Sequence, residues 1–226
     1  AWSVIRPMLT MLIMGFVFSK VAKLSGDPGV PYPLMVLAGI TVWTFFSSTF
    51  TQISNSIVLN SNLVSKVYFP RLLMPLSSVS VGFVDFLVSL GLFIGFGLWY
   101  NYPPGWQILF LPVFIMLALL SSLAFGLFFS AINVRFRDIG QLIPFLVQVG
   151  FYVCPVAYST RLIKDEWYYK YYILNPLVGI IDGFKWCLLG ENVHMDLNSL
   201  YATIAVTGIM LLLSLYFFRK RENTFV

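Results

Sequence analysis

Lys66 and Arg71 bracket Pro70 in the stretch LVSKVYFPRLLMP (63–75). No charged residue stands from Pro28 to Ser65, and from Leu72 to Val134 there is only Asp85. Fixed cations beside stiff prolines can hold anions, either lipid headgroups or a partner's surface. Neither residue has a neighbour that would make it an acid, a base or a nucleophile. A second charged group, Arg135, Arg137 and Asp138, lies in NVRFRDIGQ (133–141). A third, Asp182 and Lys185, interrupts the apolar run YYILNPLVGIIDGFKWCLLG (171–190). The chain has no G-x-x-x-x-G-K-[ST] loop to cradle a nucleotide phosphate, and no GxSxG or HExxH. His194 has no neighbouring cysteine, and Cys154 and Cys187 form no CxxC pair, so no metal site is expected.

The elements that carry these residues are set by composition. The 226 residues are 59% hydrophobic and only 10% charged, against roughly 25% charged in soluble domains. A soluble fold could not hide so much apolar surface, so the solvent is a bilayer. A hydrocarbon core about 30 Å thick asks for roughly 20 apolar residues per helix. Six spans are expected, at about 2–21, 34–58, 72–99, 107–131, 140–159 and 199–218, in a single all-α membrane domain over 1–226. Arg6, Lys66, Arg71, Arg135, Arg137, Arg219, Lys220 and Arg221 gather on one side, with only Asp138 and Glu222 against them. By the positive-inside rule that side is the cytoplasm, which holds both termini.

The 171–190 run is too charged to face lipid. Each of Asp182 and Lys185 would cost about 2.5–3.5 kcal/mol in a lipid-exposed span. A break at Pro176 or Gly183 leaves two half-helices, and a re-entrant helical hairpin entering from outside, between the fifth and sixth spans, is expected. Asp85 is the one ionisable residue clearly inside a span. It either marks a pathway or ties helices by hydrogen bonds. Gly91 and Gly95 form a GxxxG on the third span, expected to pack a neighbouring helix closely. Aromatic residues crowd the outer end, among them Tyr152, Tyr158, Trp167, Tyr168, Tyr169, Tyr171 and Tyr172. They suit an interfacial belt or a surface on which sugar rings and polyisoprenoid chains stack.

Three collinear motifs resemble those of type-2 ABC permeases that export polysaccharide. NLVSKVYFPRLLMP is similar to that family's N-x-x-L-[IV]-x-K-x-x-F-P-R-x-x-x-P signature, filled by Asn62, Leu63, Val64, Lys66, Phe69, Pro70, Arg71 and Pro75. NVRFRDIGQLIPFLVQVGFYVCPVAYS resembles its N-V-x-x-R-D-[IV] loop and the span after it, through Asn133, Val134, Arg137, Asp138, Ile139, Pro155 and Tyr158. ILNPLVGIIDGFK resembles its L-N-P-[LM] segment, with Leu174, Asn175 and Pro176. The resemblance implies the membrane subunit of an exporter for O-antigen, capsule or teichoic acid in a bacterial inner membrane. It implies a homodimer with two separate ATPase subunits, which hold ATP and Mg, and an undecaprenyl-diphosphate-linked glycan as cargo. No cofactor in this chain and no nucleic-acid partner are expected. The channel would form at the homodimer seam, with the first and fifth spans. Asn62, Lys66, Phe69, Pro70, Arg71, Arg137 and Asp138 would couple to the ATPase. Arg6, Arg135 and Arg137 would meet the lipid diphosphate, and the outer aromatics would guide glycan. A drug or small-lipid exporter, or a non-transport scaffold, is the alternative.

Overall fold

The computed structural model describes residues 5, 8–10, 12, 13, 16, 27–60, 71–136 and 138–221. Among them every regular element is helical. Most of the first expected span and the whole of 61–70 lie outside the described residues.

The long helices follow directly from apolar runs bounded by Pro, Gly and Asn. Helix α1 (Tyr32–Leu59) starts behind Pro31 and accepts Pro33 in its first turn, where the missing N–H costs nothing. It is followed by the one-turn α2 (Leu73–Ser77), α3 (Val79–Trp99), and, after a 3-10 turn at Trp106–Phe110, α4 (Leu111–Asn133). Then come α5 (Ile139–Val153), the short α6 (Tyr169–Tyr172), α7 (Pro176–Leu189) and α8 (Leu197–Arg221). Among the described residues, four segments are long and apolar enough to cross a membrane: 32–59, 73–99, 106–133 and 197–220.

Helix α1 is the axis of the fold. It packs against α3, α4, α5 and α7, and its side chains from Leu34 to Trp43 are all buried. Several of its hydroxyls and amides are satisfied on their own helix, though the buried Thr49 and Ser54 hydroxyls find no partner among the described residues. Thr41 donates to the Leu37 carbonyl at 2.8 Å, Thr51 to Ser47 at 2.7 Å, and Asn60 to Ser56 at 2.8 Å. This back-bonding lets a polar helix stay in apolar surroundings that offer no water.

Gly91 and Gly95 face no other helix among the described residues: a side-chain carbon added at either would touch nothing within 4 Å. Helix α3 meets α1 through Gly82, Phe86, Ser89 and Phe93 instead, where Phe86 lies 5.0 Å from the Phe45 ring centroid. The 171–190 run breaks only at Asn175–Pro176. The helix continues through Gly183, which fits there because it faces the Phe114 ring so closely that any side chain would collide with it.

Candidate functional site

Two polar clusters lie at opposite ends of α1. One is built on α7. Asn175 caps this helix, its Oδ1 accepting from the Leu177 N–H at 3.1 Å, and Pro176 occupies the first helical position. Fourteen residues make a helix of about 21 Å, short of the roughly 30 Å hydrocarbon core. All of it except Trp186 is buried, against α1, α4 and α8.

Burial places Asp182 and Lys185 in the interior, three residues apart and therefore on one side of α7. Both are held by the irregular segment 154–160 that follows α5. Thr160 donates its hydroxyl to Asp182. Lys185 donates to the carbonyl oxygens of Pro155 and Tyr158, the latter at 3.0 Å. The same segment is fastened by Ser159 to Asp27 at 2.8 Å, by Tyr32 to the Ala157 carbonyl at 2.6 Å, and by Asn175 to the Cys154 sulfur at 3.3 Å. It lies so close to α1 that only a glycine fits at position 39, where a side chain would strike the Val156 carbonyl oxygen. Non-helical backbone at membrane depth is tolerated only under such protein cover. The expected fifth span, about 140–159, is thus a 15-residue helix completed by a buried extended segment.

The outer aromatics divide into two sets. Tyr158, Tyr169 and Tyr172 turn inward: Tyr158 and Tyr172 share a hydroxyl contact at 2.9 Å, and Tyr169 donates to Asp196 at 2.6 Å. Burial pushes the Asp196 carboxyl up. The bonds from Tyr169 and the Asn198 N–H, with the charges of Lys164 and His194, outweigh this and hold it below its ordinary value. Tyr152, Trp167, Tyr168 and Tyr171 are exposed and can meet a ligand or a neighbouring copy.

The other cluster surrounds the turn that follows Asn133. Asn133, the last residue of α4, is buried and donates to the Ser54 carbonyl and to Asn55 Oδ1, each at 3.1 Å. Arg135 and Asp138 are exposed, and the Arg135 guanidinium sits 5.3 Å from the Phe136 ring centroid. Arg71 is half-buried at the start of α2, and Asp85 is half-buried on α3. Asn62, Lys66, Phe69, Pro70, Arg6 and Arg137 lie outside the described residues.

The model of the ABC-2 type transporter family matches residues 1–189. The chain belongs to the ABC-2 type transporter family. Similarity extends beyond that stretch. The O-antigen export system permease protein RfbA of Myxococcus xanthus is 28% identical over 226 residues, covering 99% of this chain and 85% of that protein. RfbA of Klebsiella pneumoniae is 26% identical over 229 residues, with the same shares covered. The inner membrane transport permease YadH of Escherichia coli K12 is 24% identical over 202 residues, 84% of this chain and 77% of its own length. With its long apolar helices, this ABC-2 transporter chain is a multi-pass membrane permease.

Sequence reasoning missed Asp27, Ser159, Thr160, Ser54 and Asn55. The two charges inside an apolar run announced that partners had to exist, but nothing in the pattern said which residues they were.

Proposed function

We propose that the chain is the transmembrane subunit of an ATP-driven exporter that moves undecaprenyl-diphosphate-linked polysaccharide outward across a bacterial inner membrane. The observation that carries this reading is the collinear similarity to O-antigen export permeases over 99% of the chain. The chain contains no nucleotide-binding loop, so hydrolysis falls to two copies of a separate ATPase, with ATP and Mg bound there. The topology has six spans, both termini in the cytoplasm, and a re-entrant hairpin whose inner arm is α7.

Two copies form the channel at their seam, with the first and fifth spans lining it. The face that α5 leaves uncovered supports this placement: Phe145, Val149 and Tyr152 are exposed, and Ile143 alone is buried on that helix. Cations at the cytoplasmic entrance, Arg6, Arg135 and Arg137, meet the diphosphate. The exposed Tyr152, Trp167, Tyr168 and Tyr171 offer ring faces along which a glycan slides without fixed charge, while Tyr158, Tyr169 and Tyr172 hold the wall behind them. The 62–71 loop and the 134–138 turn, with Asn62, Lys66, Phe69, Pro70, Arg71, Arg137 and Asp138, receive the motor's stroke.

The test is co-expression with the partner ATPase in cells lacking their own exporter. The wild type restores surface polymer and co-purifies with the ATPase. Lys66→Glu or Arg71→Glu is expected to keep membrane expression and lose ATPase association, since charge reversal at a close interface pair costs a few kcal/mol, against about 1 kcal/mol per cation at a headgroup surface. Intact association and export in both variants would reduce the loop to a membrane anchor. Failure of the wild type to restore polymer would overturn the cargo.

A further inference from the structure

We propose that Asn133 is a positioning residue whose amide pair with Asn55 makes the 134–138 turn and the end of α1 move as one body. Its consequence for transport rests on the export reading above; the contact itself does not. The Asn133 side chain reaches from the end of α4 into α1, where Nδ2 serves two acceptors at once, the Ser54 carbonyl and Asn55 Oδ1. Asn55 is aimed in turn by its own Nδ2, which donates to the Thr51 carbonyl at 2.9 Å. The opposite end of the turn lies beside the same pair. A side-chain carbon at Gly140, in the first turn of α5, would lie 3.4 Å from Asn133 Oδ1 and 3.6 Å from Asn55 Oδ1.

The turn between these supports is stiff. The Phe136 N–H donates to Ile132 at 2.9 Å, and the Ile139 N–H donates to Phe136 at 3.0 Å. Exposed Arg135 and Asp138 therefore stand on a turn that Asn133 ties to α1, the helix that leads into residues 62–71. The turn that carries Arg135 and Asp138 is thereby joined to the C-terminal part of α1 through two hydrogen bonds. Apolar contacts between helices in a bilayer can slide, because lipid replaces them at little cost. The Asn133 amide is buried, and its two bonds are directional, so the contact keeps its register where apolar packing would slide.

The experiment places nitroxide labels at Leu59→Cys and Phe136→Cys, both exposed positions, in a variant without native cysteines. Their separation is read by dipolar EPR in the transporter with its ATPase, with and without ATP. Polymer exported per ATP hydrolysed is measured in parallel. With Asn133 in place, the distance distribution should be narrow and indifferent to nucleotide. Asn133→Leu should broaden it and lower export per ATP roughly two- to thirtyfold, at unchanged ATPase co-purification. Asn55→Leu should give a smaller loss, since it removes one of the two bonds, and both substitutions together should match Asn133→Leu rather than the sum of the two. Should Asn133→Leu fail to accumulate, Asn55→Leu tests the pair alone, because the Ser54 carbonyl still holds Asn133. A distribution as narrow in the variants as in the parent overturns the link. Broadened labels with unchanged export per ATP overturn the positioning role. Broadened labels in a protein whose parent exports no polymer sink the export reading and leave the link standing.

Discussion

Replacing Lys185 with Met removes a cation that is 1% exposed and leaves its volume nearly filled. Two carbonyl oxygens, of Pro155 and Tyr158, lose their charged donor, and the buried Asp182, bonded to Thr160 rather than to Lys185, loses the opposite charge three residues along α7. A hydrogen bond from a charged group contributes about 1.5–3 kcal/mol. Removing one partner of a buried charge pair costs about 3–5 kcal/mol, because the other is left uncompensated. The two figures describe overlapping losses, so the expected destabilisation is about 3–5 kcal/mol. For a chain of this size that is on the order of 10 °C in thermal midpoint. Asp182→Leu added to Lys185→Met should recover part of the loss, since an apolar pair carries no buried charge. The assay is thermal unfolding of the purified protein in detergent, followed by intrinsic tryptophan fluorescence. A Lys185→Met protein that melts with the wild type would refute the clamp, and a double variant less stable than the single would refute the charge argument.

Further outcomes follow from the same geometry. Gly183→Val should drive a side chain into the Phe114 ring and destabilise by about 1–3 kcal/mol or more; Phe114→Ala in the same protein should restore part of the lost melting temperature. Tyr169→Phe should cost about 1 kcal/mol at neutral pH by removing the donor to Asp196. Because the folded Asp196 carboxyl lies below its ordinary value, that bond stabilises above the unfolded pKa, about 3.9. Its contribution is lost as pH falls through the folded value, so thermal scans of the two proteins should converge below about pH 4 and remain separated from pH 5 to 7. Single cysteines at Lys164 and Asn192, both exposed and flanking α7, should both label with a membrane-impermeant thiol reagent added outside, once Cys154 and Cys187 are replaced. Labelling of only one would refute the re-entrant topology.

Helix content and the membrane as solvent were legible in the sequence, because long uncharged runs admit no other solution in a bilayer. The special status of 171–190 was legible too: Asp182 and Lys185 are charges whose exposure to lipid is too costly. The partners of those charges were not. They come from Thr160, Pro155 and Tyr158, which are 22, 30 and 27 residues away along the chain, and period or spacing cannot report a contact at that range. The break at Pro176 rather than Gly183 was likewise undecided, since a glycine inside a helix is tolerated where something packs on it, and only the tertiary structure places Phe114 there. GxxxG left its partner open for the complementary reason: small residues permit close approach but do not name the helix that approaches, and none does so among the described residues. Asn133 stood out as part of a motif, yet its role depends on α1 passing within 3.1 Å of the end of α4. Local sequence determined which segments are helices and which residues needed partners. Packing around α1 decided which partners they received, because each of those contacts joins segments that meet only when the helices assemble.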